Sequence, residues 1–242
     1  MSIFDSLLNL SNSHKYYKKN FNKLKKSNDE LKDSNEKLAK SNEELTEENK
    51  NLNQLLEYYK GVHDSTLPGR LLTKEEVLSF DEKYYDEKRW DMYYQEMIEE
   101  LLKMRDVNKI LEIGPYKAPF VEGSDVIDIR DFSEYFPIDI NKVIIHDCKE
   151  IPYPIEDKEY DLIIACQCVE HLGIKGEQVE IFKEFARISK KAIVSLPYKW
   201  HRPFARDHHM IDERVFDDWQ GEFKHYYERK SKYTILRIYD FD

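Results

Sequence analysis

Two hydrophobic rhythms divide this chain. Between Phe21 and Tyr59 the sequence is dominated by Lys, Glu, Asn and Ser, and Leu24, Leu31, Leu38, Leu45 and Leu52 recur every seven residues. That spacing is a heptad repeat, and it predicts a helix with leucine at its d positions. Asn28, Asn35, Asn42 and Asn49 then fall at successive a positions. Asparagine at a fixes register at a cost in stability, and two facing amides can hydrogen-bond across a parallel two-stranded seam. The pattern therefore predicts an N-terminal helical coiled coil over residues 1–60 and a homodimer through it. The alternative is a solvated tether, because polar a positions remove about half of the usual seam.

From Lys109 onward the rhythm changes. KILEI, DVIDI, KVIIH, YDLIIAC and KAIVSLP are short β-rich runs, and the helical pattern VEIFKEFARIS precedes the last of them. Strands alternating with helical stretches imply a mostly parallel sheet. The tail KHYYERKSKYTILRIYDF reads as two strands around the polar turn ERKSK, hence an antiparallel hairpin. The predicted fold is α/β: a Rossmann-like, seven-stranded, mostly parallel sheet with a C-terminal antiparallel hairpin, preceded by the coiled coil.

Between the two rhythms, GVHDSTLPG (Gly61 to Gly69) has turn residues and no periodicity, so residues 61–72 are taken as a linker and 73–242 as the globular domain. Thr73 with Glu76 makes a capping-box signature, and Trp90, Tyr94, Met97, Leu101 and Met104 mark the apolar stripe of a longer helix that packs on the sheet.

Composition narrows the function. The 242 residues are 40% hydrophobic and 36% charged, which suits one medium domain with a polar appendage. A net charge of −10 argues against a general nucleic-acid surface and confines any anion site to a local basic cluster. The three cysteines, Cys148, Cys166 and Cys168, form no CxxC pair, as in a protein kept reduced, so a cytoplasmic location is expected. No apolar run approaches a membrane span, and IFDSLLNL, interrupted by Asp5, is too short for a signal sequence.

The candidate chemistry lies at the strand ends. KILEI runs into Gly114, where glycine lets a ligand approach the backbone closely. The acid Glu112 suits an ammonium or hydroxyl better than a pyrophosphate, and the full glycine-rich turn of a nicotinamide-dinucleotide enzyme is lacking. Asp128, sixteen residues on, ends the second strand, where a carboxylate can accept both hydroxyls of a ribose. Asp147 follows the third strand. Either aspartate alone is more often a turn or cap residue, and only their joint spacing behind strands favours a ligand. The pair Glu170 and His171 is read as structural, at the start or cap of a helix after the fourth strand.

Taken together, LEIGP, VIDI, HDCKEIPYPIEDKEYDLIIACQCVEHL and KAIVSLP resemble the class I S-adenosylmethionine-dependent methyltransferases of the small-molecule type, over roughly Ile110 to Asp242. The resemblance implies that Glu112 and Gly114 contact the methionine part of the cofactor, with Pro115 beside them in the cofactor-binding set. It further implies that Asp128 holds the ribose, Asp147 and Cys148 meet the adenine edge, and Gln167 and Cys168 line the floor. One departure is plain: Tyr116 and Ala118 stand where the family has its second and third glycines, and Pro115 removes a backbone donor.

After the fifth strand, YKWHRPFARDHHMID (Tyr198 to Asp212) gathers Lys199, His201, Arg202, Arg206, His208 and His209 in an acidic protein. Ligands of such sheets bind at the carboxyl ends of the strands, so this loop is placed to hold a methyl acceptor. For a hydroxyl acceptor, His208 or His209 could take the proton, and Tyr198 is grouped with them as catalytic. For an anionic acceptor, Lys199, His201, Arg202 and Arg206 would neutralise and orient it. These side chains could instead pair with Asp212, Glu213, Asp217 and Asp218. A metal on Asp207, His208, His209 and Asp212 is not expected, because adjacent histidines on an extended chain point apart. The HHMIDE region and the coil also resemble methyltransferases of bacterial capsule or surface glycans, including those linked to O-methyl phosphoramidate. That implies O-methylation of a sugar or phosphoramidate group on a polysaccharide precursor. The competing reading is a methyltransferase-like scaffold without turnover that recruits partners through its coil.

Overall fold

A computed structural model describes residues 17, 19–46, 49, 67–80, 84–173, 176–200 and 210–242. The chain separates into two compact units, Met1–Glu57 and Tyr58–Asp242. In the first, residues 19–46 form a helix, α1. Its d-position leucines lie on the surface of the single chain: Leu24 is 71% exposed, Leu31 61%, Leu38 61% and Leu45 52%. Leu52 lies outside the described residues. The i,i+4 pairs Lys26–Glu30, Lys37–Asp33 and Lys40–Glu44 are exposed, and pairs of that kind add only a few tenths of a kcal/mol each.

The second unit is built on one seven-stranded sheet in the order β3-β2-β1-β4-β5-β7-β6. Strands β1 (Ile110–Ile113), β2 (Asp125–Asp128), β3 (Lys142–Ile145), β4 (Tyr160–Cys166) and β5 (Ser189–Pro197) are mutually parallel. β7 (Thr234–Asp240) runs antiparallel between β5 and β6 (His225–Lys230). The Rossmann-like sheet with its C-terminal hairpin is therefore present as expected. Every residue of β1 and β2 is buried, because both faces of the sheet are covered.

One face carries Leu111, Ile163, Val194 and Tyr239 against α5 (Gln178–Ile188) and α6 (Glu213–Gln220), through Phe182, Phe185 and Phe216. The opposite face carries Ile110, Leu162, Ile193 and Leu236 against the segment that precedes the sheet. That segment contains α2 (Lys74–Leu78), whose capping box forms as predicted: Glu76 N–H donates to Thr73 Oγ1 at 3.2 Å, and Thr73 N–H donates to Glu76 Oε2 at 2.9 Å. It continues through α3 (Glu87–Arg89), a π-helical turn Trp90–Tyr94, and α4 (Gln95–Leu101). Tyr94, Met97, Leu101 and Met104 of the predicted stripe are buried. Among the described residues no helix is long and apolar enough to cross a membrane.

The alternation of strands and helices is less regular than the sequence pattern suggests. Only the β4-to-β5 crossover contains a long helix, α5; the stretch from β1 to β2 has none, and β2 to β3 has a single 3-10 turn, Ser133–Tyr135. Pro115, Pro119 and Gly123 in the first crossover disfavour helix. Its backbone groups are satisfied in other ways. Leu71 bridges Val121 antiparallel, Leu72 N–H donates to Phe120 O at 2.9 Å, and Glu122 N–H donates to Arg70 O at 2.9 Å.

Candidate functional site

β1 and β4 are neighbours, yet β1 continues to β2 on one side and β4 to β5 on the other. At such a switch point the crossovers leave in opposite directions and a crevice opens beyond the carboxyl ends of the strands. Gly114 leaves β1 there with φ +57°, and a Cβ added to it would meet only the Cys168 Cβ, at 3.6 Å. Two non-glycine residues beside it are also left-handed, Tyr116 at φ 58° and Gln167 at φ 52°. Each such residue costs about 1–2 kcal/mol, a strain that clusters at ligand sites.

The sequence-predicted residues fall around this crevice in different ways. Asp128 closes β2, is buried, and accepts the Tyr116 N–H at 3.3 Å. Burial lifts its carboxyl above the ordinary value, and the N–H groups of Arg130, Ile129 and Tyr116 oppose that rise. Burial pushes the Cys148 thiol up to about 12, with the charge of Asp128 adding to it. The buried Cys168 thiol is raised by burial and then by the charges of Glu170, Cys148, Cys166 and Asp128, so the ends of β2, β3 and β4 converge electrostatically. Gln167 ties β4 to β5: its N–H donates to Ser195 O at 2.9 Å and its side chain to Ser195 Oγ at 3.2 Å. Asp147 serves its own turn, accepting Lys149 N–H at 3.0 Å. The Pro115 carbonyl accepts Ala118 N–H at 3.2 Å.

Glu112 has a role that its sequence position does not announce. Its carboxylate accepts the N–H groups of Phe120 (2.7 Å) and Val121 (2.9 Å) and the hydroxyl of Ser124 (2.9 Å), so it anchors the helix-free crossover. Burial raises it to about 7 against those three donors. Tyr116 packs edge-on to Phe132 with ring centroids 4.7 Å apart and stacks on Tyr85 at 6.3 Å. Tyr84 stands edge-on to the same tyrosine at 5.9 Å, and the Arg89 guanidinium lies 3.7 Å over the Tyr84 ring.

Glu170 lies in the 3-10 turn Val169–His171 that follows β4, where no side chain makes a cap hydrogen bond. It is 2% exposed, burial pushes it up to about 8, and its Oε2 has no hydrogen-bond partner among the described residues. The Glu-His pair was visible in the sequence, but the missing partner was not.

Of the basic loop, residues 198–200 and 210–212 are described. The Tyr198 hydroxyl donates to Glu213 Oε1 at 2.8 Å, and Lys230 reaches the same oxygen at 2.9 Å. Lys199 N–H donates to Ile211 O at 2.7 Å, and its ammonium lies 4.7 Å over the Tyr198 ring. His201, Arg202, Arg206, Asp207, His208 and His209 lie outside the described residues. Asp212 caps α6 by accepting Val215 N–H at 2.9 Å, and no metal-binding group of three or more side chains occurs among the described residues.

No protein-family model matches the chain, and no curated protein is similar to it in sequence. Solved structures similar to it include a SAM-dependent methyltransferase from Aquifex aeolicus, 13% identical, covering 71% of this chain and 100% of that one with a TM-score of 0.45. The N-methyltransferase NodS from Bradyrhizobium japonicum WM9 is 13% identical over 66% of this chain and 98% of its own, with a TM-score of 0.47. The PH0226 protein from Pyrococcus horikoshii OT3 is 17% identical over 66% and 92%, with a TM-score of 0.48.

Proposed function

We propose that this chain is an S-adenosylmethionine-dependent O-methyltransferase. The observation that carries the reading is the crevice between β1 and β4: a left-handed Gly114 with open space at its Cβ position, and the buried Asp128 at the end of the next strand. These residues fit the cofactor. Gly114, with Pro115, leaves room for its methionine part, Asp128 offers two oxygens to a ribose, Asp147 and Cys148 border the adenine, and Gln167 with Cys168 forms the floor. Glu112 shapes the loop that closes this site. When bound, the cofactor supplies an electrophilic methyl group.

The protein's own work is then to align an acceptor and manage its proton. Lys199, His201, Arg202 and Arg206 hold an anionic acceptor, and Tyr198, His208 and His209 are the candidate proton-handling groups of the same loop. Six basic residues within Tyr198–Asp212 of a chain with net charge −10 support an acceptor molecule that carries negative charge, and the methylated group is a sugar or a phosphoramidate of a capsular or surface polysaccharide precursor. In this reading the coil spans 1–60, the linker 61–72 and the globular domain 73–242, although Leu71 and Leu72 at the end of the linker are buried in the globular unit. The exposed leucine row of α1 supports a homodimer, because a second copy would cover it. The working location is the cytoplasm.

Tyr116 and Ala118 in place of glycines favour a second reading, a methyltransferase-like scaffold without turnover. Calorimetry with S-adenosylhomocysteine, followed by a screen of acceptors with methyl-labelled cofactor, separates the two. Binding with transfer supports the enzyme, and absence of binding supports the scaffold.

A further inference from the structure

Most described arginines of this acidic chain are engaged. Arg70 pairs with Glu76 and Glu122, Arg187 with Asp157 and Glu184, Arg229 with Glu99 and Glu100, and Arg237 with Asp217 and Glu228. Arg105 donates to the carbonyls of Leu102 and Met104. Arg89, Arg130 and Arg214 make no ion pair among the described residues, and of these three only Arg89 rests on aromatic rings. Its guanidinium is half-buried, 3.7 Å over the Tyr84 ring and 5.7 Å from the centre of the Tyr93 ring.

Such a seat prepares the cation for a ligand. Stacking uses the face of the guanidinium, while its N–H fork lies in the plane and can grip two oxygens of one group. Local structure fixes the seat: Asp86 caps α3 by accepting Arg89 N–H at 2.8 Å, and the π-helical turn Trp90–Tyr94, a rare form frequent at functional sites, starts at the next residue and carries Tyr93. Contacts then lead from Arg89 to the crevice. The Tyr84 ring stands 5.9 Å from the Tyr116 ring, and Tyr116 N–H donates to Asp128 Oδ2 at 3.3 Å. Tyr116 lies just past Gly114 and Asp128 ends β2, so this aromatic line starts at the carboxyl ends of β1 and β2 and ends on Arg89. Tyr84 is 44% exposed, which leaves the Arg89 end open to solvent.

We propose that Arg89, seated on Tyr84, binds an oxyanion carried by the methyl acceptor, a phosphoryl or carboxyl group, and so selects which acceptors enter the crevice. The inference rests on the methyltransferase reading and on none of the residues 201–209. Two rings, Tyr84 and Tyr116, stand between Arg89 and the Gly114 turn, so the cation serves the outer end of the crevice, where an acceptor arrives, and not the turn that takes the methionine part of the cofactor. A cation held between rings gives up less side-chain freedom on binding than a solvated one, and its partial burial limits screening by salt. Its planar fork suits two oxygens of a phosphoryl or a carboxyl group alike.

The test follows the arginine Nε–H resonances of the full chain, grown with isotope-labelled arginine and saturated with S-adenosylhomocysteine, as inorganic phosphate or acetate is added at constant ionic strength. The signal missing from Arg89→Lys identifies Arg89, and Arg105, exposed and ahead of β1 at the opposite end of the sheet, is the internal control. A saturable shift at Arg89 is expected, with the tighter of the two anions naming the source, while Arg105 drifts without saturating. S-adenosylhomocysteine alone should also move the Arg89 signal and leave Arg105 in place. Tyr84→Leu, which removes the seat and keeps the cation, should weaken the anion about 2–5-fold. When sugar phosphates, uronic acids and neutral sugars are offered with methyl-labelled cofactor, transfer should favour the charged ones, and Arg89→Lys should raise their KM about 10-fold with kcat little changed. Its affinity for S-adenosylhomocysteine should stay within about twofold of wild type. Matching responses of Arg89 and Arg105, bound S-adenosylhomocysteine that leaves Arg89 unmoved, equal transfer to neutral sugars, or product affinity lost about tenfold in Arg89→Lys, which would assign the cation to the cofactor's carboxylate, overturns the proposal. A wild-type chain that does not bind S-adenosylhomocysteine overturns the methyltransferase reading beneath it.

Discussion

The Glu112 carboxylate accepts the Phe120 backbone N–H at 2.7 Å, across the loop that joins β1 to β2. With Val121 and Ser124 on the same carboxylate, one buried acid satisfies groups that an intervening helix would have satisfied through its own ladder. Glu112→Ala leaves two buried N–H groups unpaired and is expected to destabilise the fold by roughly 2–5 kcal/mol, read from the urea midpoint. A loss under about 1 kcal/mol would show that the loop is held by other contacts.

The raised carboxyls make stability fall with rising pH. Glu112 stands near 7 and Glu170 near 8 in the folded chain, against an ordinary 4.5, so between those values the folded state holds protons that the unfolded state has lost. Their contribution is complete below 4.5 and is lost as pH rises through about 7 and about 8. Each proton contributes a slope of at most about 1.4 kcal/mol per pH unit. Urea titrations over this range should show the decline in wild type and a shallower one in Glu170→Gln; parallel curves would place the Glu170 carboxyl at its ordinary value.

Two glycines should respond to alanine for different reasons. At Gly69 an added Cβ lies 2.1 Å from the Glu122 carbonyl oxygen, so the segment carrying Leu71 must part from Val121. At Gly114 the Cβ has room, and the cost is the left-handed backbone, about 1–2 kcal/mol. Gly69→Ala should therefore lower the thermal midpoint more than Gly114→Ala. The reverse order would mean that the 70–72 pairing contributes little.

Much of this was legible in the chain. Runs such as LIIA, Leu162 to Ala165 within β4, are apolar throughout because their strand is covered on both faces, and that pattern needs no tertiary information. The capping box and the α4 stripe are local and read equally well. The role of Glu112 could not be read, since its donors are mainly backbone N–H groups that carry no residue signature. Asp147 and Glu170 look alike as acids after strands. What separates them is partnership: one accepts its own turn's N–H, while the other has a buried oxygen with no hydrogen-bond partner among the described residues. That distinction exists only once the strands have converged.

The exposed leucines of α1 predict self-association. Sedimentation equilibrium should give a dimer for the full chain and a monomer for the pair Leu31→Lys with Leu38→Lys. Asn35→Leu should raise the thermal midpoint of the coil while loosening its preference for two strands. A wild-type monomer at micromolar concentration would leave the helix a tether.

Titrating S-adenosylhomocysteine into the full chain tests the crevice most directly. One molecule should bind per chain, and Asp128→Ala should weaken it by about 10–100-fold, the loss of a bidentate ribose contact worth about 1.4–2.8 kcal/mol. No heat of binding, or an affinity that Asp128→Ala leaves unchanged, would contradict the placement of a nucleoside at the ends of β1, β2 and β4.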